Sequence, residues 1–264
     1  MKTTLFAVML TLLLAAACLV DAYPTLAGPT GYGVLPNAAI APANQLNVAL
    51  DYRTTLSDVM EIRDVLVPGI KDAFPVRALY GADQRTEIGV AYNLTKAAGD
   101  TANTWSVNAK YLTPFTCCGF SWATGVLFAS TDVKGVDEKL KTADLYLVGT
   151  RNFTISPALS HVNGSVGLRW TRVKDGGTTS GFRLFAGAGA TLGEKLNLSA
   201  EITTKQHRLD VNNLYALTVR YPFSTAVTGE IGYTNADPFL AVTGTDVGKI
   251  FLGINVTANL GAQK

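Results

Sequence analysis

The sequence predicts an all-β protein, a closed antiparallel transmembrane barrel of about twelve strands entered by an extended N-terminal lead-in. Three observations carry this prediction: apolar and polar residues alternate with period two in segment after segment, charge is scarce, and aromatic residues gather toward both ends of the apolar rows.

The alternation is plainest in "RTEIGVAYNLT" at 85–95, where Ile88, Val90, Tyr92 and Leu94 share one face and Glu87, Gly89, Ala91 and Asn93 the other. That is a strand with two unlike faces. A soluble sandwich would bury the apolar row, whereas a membrane barrel would turn it outward. Composition favours the second arrangement. Charged residues make up 16% of the 264 residues, against roughly 25% in ordinary soluble domains. The net charge of +2 gives no bulk attraction for nucleic acid. Past the N-terminus no apolar run reaches the roughly 20 residues that a spanning helix needs, so any crossing must be made by strands.

Taken in chain order, the first element is 1–22, "MKTTLFAVMLTLLLAAACLVDA". Lys2, an apolar run and the small-x-small Val20-Asp21-Ala22 make it a secretory signal peptide cleaved after Ala22. Ala15 to Cys18 lacks the Leu that a lipoprotein signal carries three residues before its Cys. Residues 23–45, "YPTLAGPTGYGVLPNAAIAPANQ", are rich in Pro, Gly and Ala and without period, an irregular lead-in long enough to enter a lumen as a plug.

The barrel is expected over 46–264, with strand segments at 46–54, 73–81, 85–96, 103–115, 119–131, 143–154, 164–175, 180–192, 195–206, 212–223, 225–235 and 248–260. Tilted spanning strands run to about 9–11 residues, longer than soluble ones. Even-numbered connections are mostly tight and odd-numbered ones longer, the pattern of periplasmic turns and extracellular loops; only the sixth, "ISPALSHVNG", blurs it. Segment 56–72 is expected to cover the far mouth, with Val59, Met60, Leu66 and Ile70 packed downward.

The two faces of these strands differ in kind. One carries rows such as Leu46, Val48, Leu50 and Tyr52, or Trp105, Val107, Ala109 and Tyr111. The other carries Asp51, Arg53, Arg77, Glu87, Lys110, Arg169, Arg183, Glu201, Lys205, Arg220 and Glu230, the expected lumen-lining set, among small residues such as Gly89, Gly125, Gly187, Gly232 and Gly253. Tyr52, Tyr92, Trp105, Phe128, Phe182, Tyr215 and Tyr233 fall near one end of the apolar rows. Tyr80, Tyr111, Phe120, Trp122, Tyr221 and Phe223 fall near the other. Two aromatic girdles around an aliphatic band suit the two faces of a bilayer. Lumen charges should pair across strands, since an isolated one is costly there, and Arg77 with Glu87, flanking the turn at 81–85, is the expected pair.

The lead-in "GPTGYGVLPNAAIAPANQLNVALDY" and the hairpin "FPVRALYGADQRTEIGVAY" resemble the start of bacterial outer-membrane β-barrels related to those encoded beside exopolysaccharide genes. The resemblance covers about residues 28–95. It implies an outer-membrane location, lipid as the surrounding partner, and insertion by the barrel-insertion machinery. One departure stands out: many such barrels end in an aromatic residue, whereas this chain ends "NVTANLGAQK".

Chemical motifs are sparse. His161 and His207 are isolated; His207 with Asp210 is half a catalytic pair, and Ser160-His161 lacks a third partner. Cys117 and Cys118 are adjacent, either a vicinal disulfide or a free pair in a turn, and do not make a zinc site. "GAGATLG" lacks the strand-turn-helix setting of a phosphate loop. The sequence thus predicts no enzyme, cofactor or metal. Two function classes stay open: a narrow porin-like channel for small polar solutes, favoured by the many small inward residues, or a structural or docking barrel with a filled lumen, linked to exopolysaccharide export.

Overall fold

The computed structural model describes residues 23–26, 29–55, 59–62, 65–68, 70–97, 101–134, 139–153, 161–175, 177–193, 195–205, 213–236 and 244–261. The expected signal peptide at 1–22 and His207 lie outside them.

Among the described residues fourteen strands follow one another: β1 (Gln45–Thr55), β2 (Val59–Ile62), β3 (Val65–Pro68), β4 (Ile70–Gly81), β5 (Thr86–Ala97), β6 (Thr101–Cys117), β7 (Phe120–Val133), β8 (Leu140–Phe153), β9 (Val162–Asp175), β10 (Gly177–Leu192), β11 (Leu196–Thr203), β12 (Tyr215–Pro222), β13 (Val227–Ala236) and β14 (Gly244–Asn259). Twelve of them close a barrel in the order β1-β14-β13-β12-β11-β10-β9-β8-β7-β6-β5-β4, while β2 and β3 form a hairpin between β1 and β4. Every pairing is antiparallel, and closure is made where Leu50 of β1 faces Ile254 of β14 on one side and Val76 of β4 on the other. Each barrel strand therefore has two neighbours and the sheet has no edge, the condition for crossing lipid without orphaned backbone groups. The expected twelve-strand barrel is borne out. The side chains of Val59, Met60, Leu66 and Ile70, expected to cap one mouth, lie outside the described residues.

The facing of the strands answers the question raised by the alternation. Ile88, Val90 and Tyr92 are 49%, 54% and 47% exposed, whereas Glu87 on the same strand is fully buried. The same inversion runs round the barrel, with Leu50, Leu147, Leu184, Leu217, Ile231 and Ile254 all exposed. A wall this apolar would be untenable against water and is suited to acyl chains. At one end of the wall stand Tyr52, Tyr92, Trp105, Phe128, Phe182 and Tyr215, and at the other Tyr111, Phe115, Phe153, Tyr221 and Phe223, all exposed. Two of the tyrosine hydroxyls are tied at the rim: Tyr52 donates to Asp72 Oδ1 at 2.5 Å and Tyr92 to Asn103 Oδ1 at 3.0 Å. An aromatic ring anchored this way sits where hydrocarbon gives way to headgroups.

Connection lengths depart from the simple alternation. The third and seventh connections were expected to be long, but β5 and β6 leave only residues 98–100 between them and β9 and β10 only residue 176. Strand pairing there extends to Lys96↔Thr101 and Gly177↔Asp175, because the polar residues flanking the gaps can hydrogen-bond as ladder partners as readily as they can face water. The sixth connection, 154–161, is the long one on the side of the short turns.

The interior also differs from expectation. Small inward residues were expected to leave open space, but Gly125, Gly167 and Gly232 are the direct register partners of Tyr146, Phe185 and Phe251. Those rings lie across them, so that a Cβ on any of these glycines would collide with the ring. All three aromatics are buried. Each glycine marks a place where a neighbouring ring lies against the wall.

Candidate functional site

The lumen is the candidate site, and its charges are set there by strand period. Asp51, Arg53, Arg77, Glu87, Lys110, Arg169, Arg183, Glu201, Arg220 and Glu230 are all buried. Lys205 is not: β11 ends at Thr203, and Lys205 is exposed beyond it, a correction to the expected lumen set.

Residues 23–45 meet these charges. The segment was expected to be extended. Instead it folds back on itself, with Leu26 N–H donating to Gly33 O at 2.8 Å, Tyr32 N–H to Leu35 O at 3.1 Å, and bridges Pro24↔Thr30 and Gly31↔Pro36. An extended chain inside a barrel would leave its backbone groups unpaired, and the Gly and Pro positions supply the turns that avoid this. Tyr32, Val34, Leu35, Ala38 and Ala41 are buried.

The contacts come from most of the barrel's circumference. The Glu201 carboxylate on β11 accepts three successive backbone N–H groups, from Gly33 at 2.6 Å, Val34 at 2.8 Å and Leu35. Gly33 is needed for this approach, since a Cβ there would strike Thr218 and the Glu201 carboxylate. On β5, Glu87 accepts from Thr30 N–H at 2.8 Å, the Thr30 hydroxyl at 2.5 Å and Ala41 N–H at 2.9 Å. Lys110 on β6 pairs with Glu87 at 2.9 Å and donates to the carbonyls of Thr30 at 2.9 Å and Asn37 at 3.2 Å. On β12, Arg220 donates to the carbonyls of Gly31 and Tyr32 and stacks over the Tyr23 ring. On β9, Asn163 Oδ1 accepts from the Tyr32 hydroxyl at 2.6 Å, and Ser165 lies 2.7 Å from it. Burial pushes the Tyr32 hydroxyl pKa up to about 12, so it stays protonated.

Lumen charges do pair across strands, but not as Arg77 with Glu87. Arg77 binds Asp51 at 2.5 Å and Glu230 at 2.7 Å, donates to Pro24 O at 2.6 Å, and Glu230 also takes Arg220 at 2.9 Å. Register explains the difference. Arg77 faces Ala91 across β5, and Glu87 faces Lys110 across β6.

Three participants escaped the sequence reading. Asp144 and Tyr146 sit on inward positions of β8, and Thr30 lies in the lead-in; all are buried. Asp144 was legible as an acid on an otherwise alternating strand, but Tyr146 reads as apolar and only the register with Gly125 shows that it points inward. Of the other expected features, His161 is exposed at the end of the sixth connection, with φ of 121°. Cys117 and Cys118 are free and exposed, their sulfurs 3.2 Å apart in a turn where Cys118 has φ of 56°. Among the described residues no group of His, Cys, Asp and Glu could hold a metal ion.

No family model matches the chain, and neither does any curated protein. Solved structures do match. The KdgM porin aligns with a TM-score of 0.52 at 14% identity over 79% of this chain and 98% of its own. The NanC porin aligns with a TM-score of 0.53 at 12% identity over 80% of this chain and 98% of its own. The outer membrane phospholipase A from Escherichia coli also matches, with a TM-score of 0.47 at 11% identity over 85% of this chain and 96% of its own. The fold is that of the outer-membrane β-barrels.

Proposed function

We propose that the protein is a narrow outer-membrane channel for small polar solutes whose lumen is stoppered by residues 23–45. The observation that carries this reading is the lead-in itself. It is held by side chains of the wall through its backbone, in a barrel whose strand number lies between the eight that side chains can fill and the sixteen or more of wide pores. Arg, Lys, Asp and Glu are mixed along the wall, which favours weak ion selectivity. In this reading the termini are on the periplasmic side, where four of the five connections are tight turns.

A second reading, a structural or docking barrel with a filled lumen, is favoured by the rings of Tyr146, Phe185 and Phe251 packed over their glycines. Planar-bilayer recording separates the two. The mature protein should show small, intermittent conductance, and deletion of residues 23–40 should enlarge it. If both proteins are silent while folded, as judged by heat-modifiable migration in detergent gels, the docking reading replaces the channel.

A further inference from the structure

The outer wall carries charge as well as the lumen, and on one arc the unpaired charges share a sign. On β8 and β9 the inward side chains Thr142, Asp144, Arg169 and Thr171 are buried, so alternation turns Lys141, Arg172 and Lys174 outward, where all three are exposed. They are neighbours by register. Lys141 and Lys174 are direct partners, and Arg172 stands two residues before Lys174 on the same face, opposite Ala143. The three cations therefore leave the wall within about 8 Å of one another. Among the described residues none of them makes an ion pair, and the outward acid beside them, Asp132 on β7, is already held by Lys139 at 2.8 Å. The side chains of Asp137, Glu138 and Asp175 lie outside the described residues. Lys96, outward at the same rim on β5, differs: it faces Asp72 across the register and lies 5.8 Å from the centroid of the Phe74 ring.

The height of the cluster is fixed by the aromatic girdle beneath it. Trp170 faces Phe182 across β10, and Phe128 of β7 faces Ala143. Phe128 and Phe182 are exposed, as are Leu145, Leu147, Leu168 and Leu184 on the apolar wall below them. Arg172 and Lys174 thus stand two and four residues past the ring of aromatics, about 7 and 13 Å of strand, where hydrocarbon has given way to headgroups. Lysines directly opposite on a sheet repel each other, and the acids of the lumen lie on the other side of the wall. An anionic surface at the same height removes that cost. Phosphate suits both kinds of cation, since the guanidinium fork takes two of its oxygens and an ammonium meets it as a point charge. Three cations within reach of one headgroup call for more than one phosphate.

We infer that Lys141, Arg172 and Lys174 form a docking site for a membrane lipid with a multiply phosphorylated headgroup, its phosphates on the three cations and its acyl chains along the leucines of β8 to β10. In the orientation that puts the short turns in the periplasm, this is a lipid of the outer leaflet. The site lies outside the lumen and holds whether or not the barrel conducts. Native mass spectrometry of the mature barrel in neutral detergent tests it, with diphosphoryl lipid A, phosphatidylglycerol and inorganic pyrophosphate as probes. Lipid A should be retained, and less so as salt is added, because exposed charges are screened. Phosphatidylglycerol, with a single phosphate, should bind at least about fivefold more weakly, the contribution of one cation near an anionic surface. Pyrophosphate, which has the charge without acyl chains, should not be retained. Replacing all three residues by Gln should weaken lipid A about a hundredfold, whereas Lys141→Arg with Lys174→Arg should keep it and Lys96→Gln should leave it unchanged. If the triple variant does not fold by heat-modifiable migration, Lys174→Gln alone serves, with a loss of about fivefold. The inference is overturned if the folded wild type does not retain lipid A, if pyrophosphate or phosphatidylglycerol binds as well, if the neutralised barrel keeps its affinity, or if Lys96→Gln costs as much as the substitutions in the cluster.

Discussion

Two groups of buried arginines occupy the same lumen under different conditions. Arg77 and Arg220, on β4 and β12, share Glu230, and both also reach carbonyls of the lead-in, Arg77 through Nη1 and Arg220 through Nη1 and Nη2. Among the described residues Arg169 and Arg183, on β9 and β10, have one long bond in all, from Arg183 Nη2 to Thr171 Oγ1 at 3.4 Å. Both pairs are equally hidden from water and sit on strands of the same kind. The difference lies in what the chain brings to them: the lead-in offers its backbone to the first group, and none of its described bonds reaches the second. Burial alone therefore does not tell whether a charge serves the architecture. The number of its partners does.

The largest effect that would sharpen this contrast is expected from Arg77→Met. Removing the guanidinium leaves Asp51 and Glu230 close together without the cation between them, an uncompensated buried charge that costs about 3–5 kcal/mol. Urea unfolding of the refolded barrel in lipid vesicles would read it. A loss under about 1 kcal/mol would mean that the cluster is solvated and that the two groups of arginines are alike after all.

Next in size is a charge on the outer wall. Val107 is 40% exposed near mid-height of β6, and Val107→Arg should lower stability in lipid by about 2–4 kcal/mol. The unfolding midpoint in vesicles reads this as well. An unaffected midpoint would argue that the apolar wall does not face acyl chains, and the division between inside and outside on which the comparison rests would fail.

How far these regions were legible in the sequence follows from what each depends on. Period two placed Arg77, Glu87, Lys110 and Glu230 on one face and Ile88, Val90 and Val107 on the other, because alternation is a local property of a strand. Partner choice is not local. Arg77 and Glu87 look like neighbours across a short turn, yet Arg77 pairs with Asp51 and with Glu230 of β13, which is not even on an adjacent strand, while the register gives Glu87 to Lys110. The small residues misled for the same reason: Gly125 and Gly232 suggest empty space until the facing residue is known to be Tyr146 or Phe251. The lead-in was recognisable by its Gly and Pro content as irregular chain. That Gly33, Val34 and Leu35 would turn their N–H groups onto Glu201 could not be read, since it depends on contacts between residues 166 to 168 apart in the chain.

A smaller effect is expected on the second arginine group. Arg183→Met removes a guanidinium that has one weak bond and a like charge beside it, so stability should change by less than about 1 kcal/mol or rise. The same urea transition used for Arg77→Met measures it. A cost approaching that of Arg77→Met would show that Arg183 is paired as fully as Arg77, and the contrast between the two groups would vanish.

The smallest effect concerns a charge that is neither in the lumen nor on the lipid wall. Asp83, in the turn between β4 and β5, is exposed and accepts the backbone N–H groups of Arg85 at 2.6 Å and Thr86 at 2.8 Å. The bond from Arg85 N–H is the main reason its carboxyl is held below the usual range, with Thr86 adding to it. A group whose pKa is lower in the folded state contributes its stability above the unfolded pKa and loses it as pH falls through the folded value. The hairpin turn should therefore loosen only in acid, below the ordinary carboxylate range, with faster exchange of the Arg85 and Thr86 amides than the general pH dependence of exchange predicts. In Asp83→Ala that acid step should be absent. Because the charge is fully solvated, the barrel as a whole should not respond. If acidification instead loosened the entire barrel in step with this turn, an exposed cap would be coupled to the lumen charges, and the separation of the environments drawn above would not hold.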